Sequence, residues 1–116
     1  VNQWERARCE VESCIAERPG EYEPATIAVM NDILELLQQT GRPAPNIWPG
    51  YWPTFCVDWN LPSVKNLKLE VFAGRVEVYR YNENLFDVWD EAHELGGPFS
   101  DDFLNELPSP DTAASV

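Results

Sequence analysis

The segment N-L-K-L-E-V-F-A-G-R-V-E-V-Y-R-Y at 66–81 constrains the fold most, because two arms of alternating polarity flank one glycine-containing turn. With Ala73 and Gly74 as a two-residue turn, Phe72 faces Arg75 and Val71 faces Val76. Leu67, Leu69, Val71, Val76 and Val78 then share one face. A slip of one residue would scatter that set, so the register follows from the pattern. The other face carries Lys68, Glu70, Phe72, Arg75, Glu77, Tyr79 and Tyr81, with Glu70 opposite Glu77, and like charges across a pair call for water on that side.

The preceding T-F-C-V-D-W-N sets Phe55, Val57 and Trp59 against Thr54, Cys56 and Asp58, the pattern of a half-buried strand. A three-stranded antiparallel sheet over 54–60, 66–73 and 75–81 is therefore expected. Helical spacing predicts an N-terminal pair. One helix covers 3–18, with Trp4, Ala7, Val11, Cys14 and Ile15 on its stripe; the other covers 24–40, with Ile27, Met30, Ile33, Leu34 and Leu37. Two short acidic helices are expected after the sheet. The first, over 85–95, would be capped by Asn84 and carry Leu85, Val88, Trp89, Ala92 and Leu95 on its stripe; the second, over 101–107, would be capped by Ser100. The class is α+β with helices mainly on one face, residues 1–107 forming a single globular domain and 108–116 a flexible tail. At 116 residues such a domain buries roughly two thirds of its unfolded surface and needs no staples.

The connector R-P-A-P-N-I-W-P-G-Y-W-P at 42–53 is too proline-rich for a helix or a central strand. Its Trp48, Tyr51 and Trp52 can form a rigid aromatic platform for a sugar, a Pro-rich peptide or a partner surface. The favoured reading is that they fold back and close one end of the core, since an apolar connector must hide most of its rings. Trp4, Trp59 and Trp89 fall on apolar stripes and are expected in the core.

The order of a helix at 27–37, the Pro-rich connector, a strand ending in Trp59 and the hairpin L-K-L-E-V-F-A-G-R-V-E-V-Y resembles a group of small uncharacterised bacterial α+β proteins. The resemblance implies an antiparallel sheet and carries over no functional residues. The C-terminal acidic segments lie outside it.

Charge is unevenly placed. No Lys or Arg follows Arg80, yet Glu83, Asp87, Asp90, Glu91, Glu94, Asp101, Asp102, Glu106 and Asp111 do, so the net charge of −12 divides into −3 before this point and −9 after it. A one-signed region repels nucleic acid and attracts basic surfaces, which excludes direct nucleic-acid binding as the expectation and points to a basic protein partner docking on Asp87, Asp90, Glu91, Glu94, Asp101 and Asp102. The alternative is a nucleic-acid mimic that inhibits a DNA- or RNA-binding protein, although the acids of the first 80 residues are interleaved with bases. No apolar run approaches the about 20 residues that span a bilayer, and no signal-peptide layout is visible, so no membrane partner and a cytoplasmic location are expected. A homodimer is expected through a sheet edge at 54–60 or 75–81, since little in either strand blunts an edge.

No motif specifies a reaction. Cys9, Cys14 and Cys56 with His93 lack the spacing of a zinc site, so no metal and no cofactor is expected. His93 is read as a solvated helix histidine among acids, the serines lack nucleophile-elbow glycines, and no glycine run can cradle a phosphate. The expected function is a non-catalytic protein-interaction module, with a small hydrolase as a distant third reading.

Overall fold

The computed structural model describes residues 2–62, 64, 66–81 and 86–110. Helix α1 (Gln3–Glu17) begins at Asn2, whose side-chain oxygen accepts the N–H groups of Trp4 and Glu5, two donors the first turn would otherwise leave open. Spacings of four and three bring Ala7, Val11 and Cys14 onto one buried stripe. Helix α2 (Pro24–Gln39) opens on a proline that needs no helical donor and buries Thr26, Val29, Met30, Ile33, Leu34 and Leu37.

Both helices pack on one face of a five-stranded antiparallel sheet of strands in chain order: β1 (Asn46–Pro49), β2 (Phe55–Asp58), β3 (Leu67–Phe72), β4 (Arg75–Tyr81) and β5 (Phe86–Ala92). The hairpin register is as expected, with Phe72 opposite Arg75, Val71 opposite Val76 and Glu70 opposite Glu77. Leu67, Leu69, Val71, Val76 and Val78 are buried beside Phe55, Val57 and Ile47. Gly74 closes the turn at φ +80°, a left-handed conformation that favours glycine.

Two expectations about the sheet are corrected. The connector supplies an edge strand: Asn46–Pro49 pairs with β2, its prolines confining it to the edge. The expected helix over 85–95 is instead strand β5, paired along its whole length with β4. Val88 and Trp89 sit well on a pleated surface, and the ladder with β4 satisfies the backbone groups that the two strands turn toward each other. Consequently 54–60 and 75–81 are interior strands, and the edges belong to β1 and β5. The expected cap Asn84, together with Glu83, Leu85 and the tail from Asp111 onward, lies outside the described residues.

Helix α3 (Asp101–Glu106) is present where the second acidic helix is expected, capped by Ser100. It packs under the β4–β5 side of the core, with Phe103 and Leu107 buried and Arg80 of β4 reaching Glu106 at 3.0 Å. Among the described residues no helix is long and apolar enough to cross a membrane.

Candidate functional site

No described helix covers the second face of the sheet. Its composition follows from strand alternation: the register lines up Trp48, Cys56, Glu70, Glu77 and Asp90 across the five strands, and beside them Asn46, Asp58, Lys68, Tyr79 and Val88. Phe72, Arg75 and Ala92 lie toward one end, and Tyr81 with Phe86 toward the other. The face therefore mixes large rings with four carboxylates and two cations.

Its middle is held by a small polar network. Glu77 accepts hydrogen bonds from the Tyr79 hydroxyl and, at 2.7 Å, from Arg75, whose guanidinium also lies 3.5 Å from Asp90 and 3.8 Å over the Phe72 ring. Burial works to raise the Glu77 carboxyl, but the hydrogen bonds from Tyr79 and Arg75 and the Arg75 charge outweigh it and hold the pKa below the ordinary value. The same bond to Glu77, reinforced by burial, raises the Tyr79 phenol, which stays protonated.

The apolar part is exposed. Tyr81 and Phe86 pack at a tilt with ring centroids 4.9 Å apart and Tyr79 beside them, and Val88 continues the patch along β5. At the opposite edge Trp48 is 55% exposed, and in the following loop Tyr51 and Trp52 are 83% and 61% exposed, packed edge to face on each other. The expectation that these three rings close the core is thus corrected: Ile47, Phe55 and Trp59 fill that place, Trp59 donating its indole N–H to the Pro43 carbonyl. The loop is anchored from below. Arg18 donates to the Tyr51 carbonyl, Thr54 donates to Glu70 at 2.7 Å, and Gly50 donates to the Thr54 carbonyl. A Cβ at position 50 would lie 1.9 Å from Thr54 Oγ1, so the close approach itself demands glycine.

The acids singled out in the sequence are not brought together. Asp90 stands on the open face, whereas Asp87 follows the alternation to the other face and stays exposed at its margin. Glu94 is exposed after β5, and Asp101 and Asp102 are exposed in the first turn of α3. Glu91 is buried, a correction to its expected role as a docking residue: one carboxylate oxygen accepts the Ser100 hydroxyl and the other the Ser100 N–H, both at 2.7 Å. Ser100 in turn caps α3, so Glu91 positions a helix.

His93 is also placed differently from the solvated helix position expected. It is buried just after β5, stacked on Phe99 at 3.9 Å, with Nε2 2.8 Å from Asp32 of α2. Asp32 also accepts the Gly96 N–H at 2.9 Å. Burial works to raise the Asp32 carboxyl, but the Gly96 and His93 hydrogen bonds and the His93 charge prevail and lower it. A recess of about 420 Å³ beside this pair is lined by Asp32, Glu35, Leu36, Phe99 and Leu104 among others, and its carboxylates are engaged, Glu35 by Gln39. Burial pushes the Cys14 thiol up to about 11 and raises Cys56 as well, opposing the thiolate that nucleophilic chemistry needs. Among the described residues no group of three or more His, Cys, Asp or Glu is arranged to hold a metal ion.

Sequence reasoning missed the pairing of Asp32 with His93, 61 residues apart, and no local signal could have found it. The exposed Phe86 and Val88 carried only a short signal, the alternation F-D-V, which Trp89 interrupts. No family model matches the chain, no curated protein matches it, and no solved structure matches it.

Proposed function

We propose that this chain is a non-catalytic protein-interaction module that binds a basic protein partner through the open face of its sheet. One observation carries the reading: a face that no described helix covers exposes Trp48, Tyr81, Phe86 and Val88 among Asp58, Glu70, Glu77 and Asp90. Large rings supply the desolvated contact area that dominates interface energetics, and the surrounding carboxylates favour Lys and Arg on the partner. This moves the proposed contact from the acidic C-terminal segment as a whole to the sheet, with Asp90 retained and Trp48 as part of the aromatic anchor. Nucleic-acid mimicry has less support, because Asp87 and Asp90 lie on opposite faces and Glu91 is inside, so no row of carboxylates repeats along β5.

The test compares partner capture by the native chain, by a Tyr81→Ser, Phe86→Ser, Val88→Thr variant and by a Glu12→Gln, Glu17→Gln control on exposed positions of α1. The reading expects basic proteins to be retained by the native chain and the control, lost from the face variant, and released as salt rises. Equal capture by all three would contradict it.

A further inference from the structure

The two edges of the sheet are finished differently. On β1 the Ile47 N–H donates to Glu10 at 2.9 Å, the Pro45 carbonyl accepts from Arg6 at 3.1 Å, and Pro49 has no N–H to leave open. Side chains of α1 and two prolines thereby close that edge to further pairing. On β5 the direction of the backbone follows from the ladder. His93 donates to the Gly74 carbonyl, so by alternation Asp87, Trp89 and Glu91 turn their backbone groups toward β4, while Phe86, Val88, Asp90 and Ala92 turn theirs outward. No described residue bonds to those outward groups. The strand contains neither proline nor lysine, two common edge guards.

Beside this edge, on the side of the sheet that faces α3, lies a recess of about 350 Å³ lined by Trp89, Asp102, Asn105 and Glu106. Glu106 is engaged by Arg80, whereas Asp102 forms no ion pair among the described residues. Asp87 lies two residues from Trp89 on the same side of the strand. A side chain entering here meets an indole and a carboxylate, the surroundings that suit a guanidinium or an ammonium group.

Resting on the open-face reading, we infer that β5 accepts an extended segment of the basic partner as a sixth strand. Main-chain hydrogen bonds to Phe86, Val88, Asp90 and Ala92 hold the segment, and one of its Arg or Lys side chains enters the recess between Trp89 and Asp102. Charge decides against a second copy as the occupant. β5 carries no base of its own and exposes Asp87 and Asp90, of which Asp90 has one cation, Arg75, at 3.5 Å, so two copies paired edge to edge would set like charges against each other where a basic segment would neutralise them.

The probe is a synthetic peptide of alternating Val and Arg that matches the seven residues of β5, together with two forms N-methylated on alternate amides, one set for each edge of the peptide. Affinity and backbone amide exchange are read on the full chain. The inference expects the parent peptide to slow exchange at Phe86, Val88, Asp90 and Ala92. One methylated form should lose about tenfold or more in affinity while the other binds like the parent, because only one peptide edge meets β5. Val88→Pro, which removes an outward donor and leaves the β4 ladder intact, should weaken binding similarly, and Asp102→Asn should weaken the Arg peptide more than a Val and Gln analogue. If both methylated forms bind like the parent and the signals of Tyr81 and Phe86 still shift, strand addition is overturned while the open-face reading stands. If the parent peptide does not bind at all, both fail. Protection of the four amides in the free monomer, or protection that grows with protein concentration, overturns the inference in favour of the chain's own segment or a second copy.

Discussion

Asp90 and Glu91 are neighbours in the chain with opposite surroundings, since each step along a strand changes face. Asp90 meets solvent beside Arg75, whereas Glu91 lies inside and ties β5 to the cap of α3. Neutralising Asp90, Glu91 and Glu94 together would therefore mix a surface charge, a buried brace and a loop residue. Glu91→Ala alone should destabilise the fold by about 2–3 kcal/mol in urea unfolding, because two hydrogen bonds to a buried carboxylate are lost and the Ser100 donors are left without their acceptor. Asp90→Asn should change stability by under about 1 kcal/mol, its ion pair being exposed. Asp32 supports a prediction about pH. Its folded pKa lies below the ordinary 3.8, so its contribution to stability is complete above that value and disappears as pH falls through the lower folded value. The stability gap between the native chain and Asp32→Asn should be widest above pH 3.8 and narrow below it, as measured by chemical unfolding at a series of pH values. A gap that widens toward acid would show that the pair with His93 does not hold the carboxylate ionised.

At the scale of elements, the loop at 50–54 depends on one small residue. Gly50→Ala forces the Thr54 side chain away, which breaks its bond to Glu70 and disturbs the seat of Tyr51 and Trp52. A loss of about 1–3 kcal/mol is expected in thermal or urea unfolding, with Gly20→Ser as a contrast at an open turn where strain comes only from its positive φ. Elements with an unambiguous period were legible in the sequence. Both N-terminal helices and the hairpin show one pattern each, and the hairpin register needed nothing beyond the placement of Leu67, Leu69, Val71, Val76 and Val78. β5 was not legible, because in F-D-V-W-D-E-A the period-2 alternation runs only over Phe86, Asp87 and Val88 before Trp89 breaks it, while Val88, Trp89 and Ala92 fit a helical stripe. Pairing with β4 decides between them, and pairing is a long-range property. β1 was hidden for a related reason, since prolines that forbid a central strand still permit an edge strand. The open face was half legible: its β3 and β4 residues were read correctly as wet, but its aromatic corner needed β5.

For the whole molecule, burying one face of a five-stranded sheet under α1, α2 and α3 leaves the other face with no described helix over it. Its rings and carboxylates give two separable contributions to binding. Added salt should slow association with a basic partner, since exposed charges are screened over about 8 Å at physiological ionic strength, while the part due to Tyr81, Phe86 and Val88 should persist at high salt. The most direct test of the open-face account is the affinity of one captured basic partner, measured by titration calorimetry against three forms of the chain: native, Tyr81→Ser with Phe86→Ser and Val88→Thr, and Glu94→Gln with Asp101→Asn. The account predicts that the face variant loses about 2 kcal/mol or more and that the C-terminal acid variant stays within about 0.5 kcal/mol of the native chain. A partner that binds the face variant as tightly as the native chain, and the acid variant much more weakly, would contradict it and return the contact to the acidic segment after β5.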